Sequence, residues 1–219
     1  MTIRPSYTRH LPHQIPEGFP LFLTWNLKGA MPRAVIAQLV QERQRLEKQA
    51  PRPGETIAQR RAREYKIVFA MADRFLDQAT DGPMHLKDPG AARIVENAIL
   101  SGAGAKYDLF AWCVMPSHVH VLLTPHGELS KVTQQIKGST AYQINALQHA
   151  RGRVFWPDES YDHWSRDETE MHRIIDDIEN NPVAAELCQR PEEWPWSSAR
   201  YRFDWPLGEA YKPVGQASA

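Results

Sequence analysis

The chain has 219 residues, 42% of them hydrophobic, and its 26 basic side chains balance 26 acidic ones. That length holds one well-buried domain with elaborations, or at most two small ones. Zero net charge excludes a global field drawing the protein onto nucleic acid or a membrane surface, so a polyanion partner must be met by a local patch.

No stretch approaches the ~18 apolar residues of a membrane span, and the first ten residues lack the apolar core of a signal peptide. Cys113 and Cys188 lie far apart and outside any CxxC, which argues against a disulfide framework. A cytoplasmic protein with no membrane partner is expected.

After a Pro-punctuated leader (1–20), Leu21 to Leu27 reads as a first strand, rich in aromatic and apolar residues. Ala34 to about Lys48 has the apolar spacing of a helix through Val35, Ile36, Leu39, Val40 and Leu46, and Pro51-Arg52-Pro53-Gly54 breaks it. A second helix is predicted from Thr56 to Gln78, with Ile67, Val68, Met71, Phe75 and Leu76 on its buried side. Pro89 opens a third in the favoured first-turn position, ending near Ser101-Gly102.

Tyr107 to Met115 is nearly all apolar, as in a strand buried on both faces, and Pro116-Ser117 turns it into a second strand, His118 to Thr124. A long amphipathic helix follows from Leu129 to about Gln148, with Val132, Ile136, Tyr142, Ile144 and Leu147. A fourth strand falls within Phe155 to Trp164. Asp167 caps a last helix, which Pro182 is expected to end. This order gives an α+β fold: a ferredoxin-like, split βαβ antiparallel sheet with inserted N-terminal helices and a C-terminal helical tail. One domain is expected over 21–205, with its helical insertion at about 34–102, its core motifs at 107–199, and a loosely ordered tail at 206–219.

Chemistry concentrates in Met115-Pro116-Ser117-His118-Val119-His120. Side chains alternate along a strand, so His118 and His120 share a face, and two imidazoles on one buried face make half a metal site. On the last helix Asn181 offers an amide oxygen, with Asp177 four residues before it on the same face. Such donors, with phosphate oxygens and water, suit Mg²⁺ or Mn²⁺. The spacing alone is equally that of two satisfied histidines and a capping asparagine.

The motifs together resemble the REP-associated tyrosine transposases, a group of the IS200-like, single-tyrosine HUH family. They are Trp112 to Pro125 around the histidine pair, Leu129 to Ala141, Phe155 to Asp167, Ile178-Glu179-Asn180-Asn181-Pro182-Val183, and Pro191 to Ala199. The resemblance implies binding of single-stranded or hairpin DNA, and a divalent metal on His118, His120 and Asn181. It also implies attack by a tyrosine four residues before the helix ligand, giving a covalent 5′-phosphotyrosine.

That position holds Asp177, and no tyrosine occurs between Tyr161 and Tyr201. Three readings follow: a hairpin binder that does not cut, a water-using nicking nuclease with Asp177 as base or ligand, or Tyr161 as a substitute nucleophile. A metal-binding protein unrelated to DNA is the alternative outside this family. Lys137, Arg151 and Arg153 are the candidate phosphate contacts. Monomer and homodimer are both open.

Overall fold

The computed structural model describes residues 18–78, 81–157, 161–165, 167–205 and 207–212. Four strands, β1 (Leu21–Asn26), β2 (Tyr107–Val114), β3 (His118–Pro125) and β4 (Tyr161–Trp164), form one antiparallel sheet in the order β2-β3-β1-β4. Five helices accompany them: α1 (Arg33–Lys48), α2 (Ile57–Asp77), α3 (Pro89–Leu100), α4 (Leu129–Leu147) and α5 (Glu168–Ala184). This is the expected ferredoxin-like α+β arrangement, with α1 to α3 filling the first crossover.

The sheet buries both faces. Leu21, Leu23 and Trp25 of β1 pack with Val119, Val121 and Leu123 of β3 against α3 and α4. On the other face Phe22 and Leu122 meet Phe69 of α2 and Ile174, Ile175 and Ile178 of α5. β2 feeds both cores through a bulge at Phe110, where its pairing with β3 slips by one residue. Tyr107 and Leu109 before the bulge, and Trp112 and Val114 after it, therefore face α3 and α4, while Ala111 and Cys113 face α5.

Local signals explain the helix starts. Thr56 and Gln59 form a capping box on α2. Asp88 accepts from the N–H groups of Gly90 and Ala91 ahead of α3. Asp167 accepts from Glu170 N at 2.7 Å to start α5.

Several expectations need correcting. Pro182 lies inside α5, which runs on to Ala184: its ring removes a single donor one turn from the end, and the next turn closes through Ala185 N to Asn181 O at 2.9 Å. The fourth strand is only the last four residues of the segment predicted for it. Met71 of α2 and Tyr142 and Leu147 of α4 are exposed, as are Ile36 and Val40 of α1. The leader up to residue 17 and the tail from 213 lie outside the described residues. No helix among the described residues is long and apolar enough to cross a membrane.

Candidate metal centre

β3 pairs with β1 so that His120 stands beside Thr24 and His118 beside Asn26, all on the face covered by α2 and α5. Both imidazoles are buried, their ring centroids 4.6 Å apart. Asp77, the last residue of α2, brings a carboxylate between them: its Oδ1 lies 3.1 Å from His118 Nε2 and 3.3 Å from His120 Nε2. With its amide nitrogen turned to Asp77, Asn181 of α5 donates to both carboxylate oxygens at 2.8 and 3.2 Å and accepts from His120 Nε2 at 3.2 Å. His118, His120 and Asn181 are thus brought together, and Asp77 joins them without having been anticipated.

The outer contacts orient the rings. Thr24 Oγ1 lies 2.9 Å from His120 Nδ1 and donates to Asp73 Oδ1 at 2.9 Å, so Nδ1 carries the proton that Thr24 accepts and Nε2 faces the centre. Asp73 Oδ1 is itself 3.4 Å from His120 Nδ1. Ser117 Oγ meets His118 Nδ1 at 3.0 Å; with His118 neutral and its Nε2 donating to Asp77, Ser117 donates to Nδ1 and fixes the second ring.

Charge is distributed unevenly over this cluster. Burial holds His118 down at about 4, only partly offset by its bond to Asp77. His120 is equally buried, but the charges of Asp73 and Asp77 outweigh the burial and raise it. Burial likewise pushes Asp77 up, yet the hydrogen bonds from the two histidines prevail and hold it well below the usual carboxylate range. Burial raises Asp73 to about 6, with repulsion from Asp77 and Asp177 adding to it against the pull of His120.

Asp73 and Asp77 belong to a matched stripe. Lys66 of α2 pairs with Glu170 of α5, and Asp77 with Asn181, two rungs with the same 104-residue offset in sequence. The helices therefore run side by side in the same direction. Asp73 and Asp177, between those rungs at the same offset, feel each other's charge. Asp177 is exposed on α5; burial raises its pKa first, and the nearby Asp176 and Asp77 add to that.

The donors fit a divalent cation. Adjacent ligands of an octahedral ion at about 2.1 Å stand about 3 Å apart, which is the spacing of Asp77 Oδ1 from the two histidine nitrogens and of the Asn181 amide oxygen from His120 Nε2. Among the described residues, Asp77, His118 and His120 are the one His, Cys and acidic group whose donor atoms converge within 4.8 Å. Two imidazoles, a carboxylate and an amide oxygen are the mixed N and O set that Mg²⁺ tolerates and Mn²⁺ suits.

The other predicted residues lie elsewhere. Tyr161 pairs with Thr24 across β1, two strands from His120, and its side chain is outside the described residues. Lys137 sits on α4, on the opposite side of the sheet from the histidines. Arg151 is exposed beyond the end of α4. Arg153 is tied to Asn145 Oδ1 at 2.9 Å and Gln148 Oε1 at 2.7 Å, and stacks on Phe155.

The family described as "Transposase IS200 like" matches this chain over residues 93–181, a span holding both histidines, Asp177 and Asn181. Asp73 and Asp77 precede it. None of the curated proteins matches the sequence. Among solved structures, a REP-associated tyrosine transposase bound to a REP hairpin superposes with a TM-score of 0.52 at 15% identity, over 97% of this chain and 96% of that one. A candidate transposase from Deinococcus radiodurans R1 aligns over 80% of this chain and 97% of its own, with a TM-score of 0.31 at 18% identity.

Proposed function

We propose that this chain, similar to the IS200-like transposases through the heart of its site, binds single-stranded or hairpin DNA with Mg²⁺ or Mn²⁺ and forms no covalent adduct with it. The observation that carries this is Asp177: one turn before Asn181, on a helix with no tyrosine, it stands where the resemblance implies a tyrosine nucleophile. A phenolate attacking phosphorus gives a phosphodiester that can be reversed. A carboxylate gives an acyl phosphate, a reactive adduct unsuited to storing a DNA end. The hairpin-bound transposase of the same fold supports DNA as the partner.

A bound cation supplies polarisation of a phosphodiester oxygen. His118, His120, Asp77 and Asn181 would hold it, while Thr24 and Ser117, bonded to the two Nδ1 atoms, keep the two Nε2 atoms pointed at the centre. Asp73 and Asp177 place acidic groups beside the centre that oppose the entry of a phosphate. A cation held there would offset that charge for an incoming DNA phosphate. Away from it, Lys137 and Arg151 are the proposed backbone contacts; Arg153 has structural partners of its own.

The test is a cleavage assay on labelled hairpin DNA with Mn²⁺, resolved on a denaturing protein gel. Wild type should bind without cutting, His120→Ala should lose the metal dependence of binding, and Asp177→Tyr should acquire a covalent band. An adduct in wild type would refute the reading and implicate another tyrosine, Tyr161 first. Free nicked product, absent in His120→Ala, would replace it with a water-using nuclease.

A further inference from the structure

A cavity of about 790 Å³ runs along α1 where it packs on α2, and none of the described residues lining it belongs to the metal cluster. That volume lies within the roughly 300–1,000 Å³ of small-ligand sites. Its floor is apolar: Leu39 of α1 and Val68 of α2 are core residues, with Met31 of the β1–α1 turn beside them. Its wall is apolar as well, because Ile36 and Val40, one turn apart on α1, are 46% and 49% exposed. Two large aliphatic side chains standing in water on one helix face, over an apolar floor, mark a surface built to be covered.

Charge gives the ligand its sign. Three cations, Lys28, Arg33 and Arg43, line the cavity against one acid, Glu47. Arg43 Nε pairs with Glu47 at 2.9 Å, which makes that end neutral. Lys28 and Arg33 are exposed and form no ion pair among the described residues. They stand at the start of α1, where Pro32 gives no side-chain cap and the first turn holds no acid. A helix N-terminus carries partial positive charge and favours acids, so Arg33 there adds cation to cation. From Arg33 to Arg43 the helix rises about 15 Å. The cavity is thus electropositive at one end, apolar along Ile36 and Val40, and neutral at the other.

We propose that this cavity binds a small amphipathic anion, a carboxylate on an unbranched apolar chain, with its head at Lys28 and Arg33 and its chain along Ile36, Leu39 and Val40. The site is independent of the DNA-binding reading. A nucleic-acid strand needs cations along its whole path, and Ile36 and Val40 interrupt them. A neutral or cationic chain would leave Lys28 and Arg33 unmatched.

Calorimetry with laurate, below its micelle-forming concentration, tests this beside dodecyltrimethylammonium, a cationic amphiphile of similar chain. Wild type should bind one laurate saturably and the cation at least about 5-fold more weakly. Val40→Glu, at an exposed position, should weaken laurate by about 10-fold or more, and Ile36→Gln should act in the same direction. Lys28→Gln combined with Arg33→Gln should bring the two amphiphiles to equal affinity. Each variant should keep the wild-type melting temperature without ligand. Laurate binding that is absent in wild type, unchanged in the variants or matched by the cation overturns the proposal. Wild type that binds phosphatidylglycerol vesicles but not free laurate, and loses the vesicles in the same variants, replaces it with a membrane-surface site. Labelled hairpin DNA should bind equally well with and without laurate. Displacement of laurate by the hairpin would assign Lys28 and Arg33 to DNA, overturning this site and leaving the DNA-binding reading intact.

Discussion

Replacing Asp77 by alanine separates two roles that its position allows. Its carboxylate accepts from His118, His120 and Asn181 at 3.1, 3.3 and 2.8 Å. Breaking a buried charged pair costs about 3–5 kcal/mol, and because the Asp77 side chain is 22% exposed the lower end applies. The metal-free variant should lose about 2–3 kcal/mol, lowering the melting temperature by roughly 4–12 °C in a chain of this size. If Asp77 is a ligand, Mn²⁺ affinity measured by calorimetry should also fall, by more than the 10- to 100-fold that outer-sphere partners typically cost. Asp77→Asn, which keeps the shape without the charge, should fall between alanine and wild type on both readouts. Unchanged or tighter metal binding in Asp77→Ala would refute the ligand role: the carboxylate would then be an internal substitute for the cation, pairing with the histidines in its place.

The metal-free protein should show compensating pH dependences. His118, held down at about 4, lends stability that is complete above its unfolded value of 6.5 and lost as pH falls towards 4, whereas Asp73, raised to about 6, lends stability that is present below 3.8 and lost as pH rises through 6. Wild type should therefore melt at nearly constant temperature from pH 4.5 to 6, and Asp73→Asn should gain about 1–3 kcal/mol across that window; a flat or falling variant profile would contradict the assignment. Because Asp73 and Asp77 raise His120, loading the centre should expel a proton from Nε2. Calorimetry of Mn²⁺ binding in buffers of different ionisation enthalpy should show about one proton released near pH 6, and fewer as pH rises. Arg153→Ala should lower the melting temperature by breaking its bonds to Asn145 and Gln148 while leaving the salt slope of DNA binding unchanged. Arg151→Ala should do the reverse, weakening DNA binding and lowering the slope by about 0.7–0.9 with no effect on melting.

The histidine pair was legible because strand alternation needs only local sequence, and the starts of α3 and α5 were legible because Asp88 with Pro89, and Asp167, act within one turn. The bulge at Phe110 was hidden: in an unbroken apolar run, a slip of one residue leaves no mark on the pattern. Pro182 misled because the rule against proline in helices weakens at the last turn. A helix ending there would make Asn181 an ordinary terminal residue; in the continuing helix it is buried against Asp77.

Asp73 and Asp77 are hidden in the sequence for a different reason. α2 serves two cores at once, with Val68, Ala72 and Leu76 in one and Phe69 in the other, so its apolar stripe is too broad to reveal where the acids point. Their meaning comes from pairing with α5, about a hundred residues away in sequence, in a register that sets Asp77 against Asn181 and Asp73 alongside Asp177. α2 also precedes the span that matches the transposase family. The helix that precedes that span thus contributes one carboxylate, Asp77, to the cluster and a second, Asp73, within electrostatic reach of Asp177. The charge of Asp73 would slow formation of a phenolate at 177, so the covalent band expected of Asp177→Tyr should be weak and should strengthen when Asp73→Asn is added. Asp177 and the acids of α2 thus favour the function proposed above, in which the centre would hold a cation and DNA without taking hold of the strand covalently.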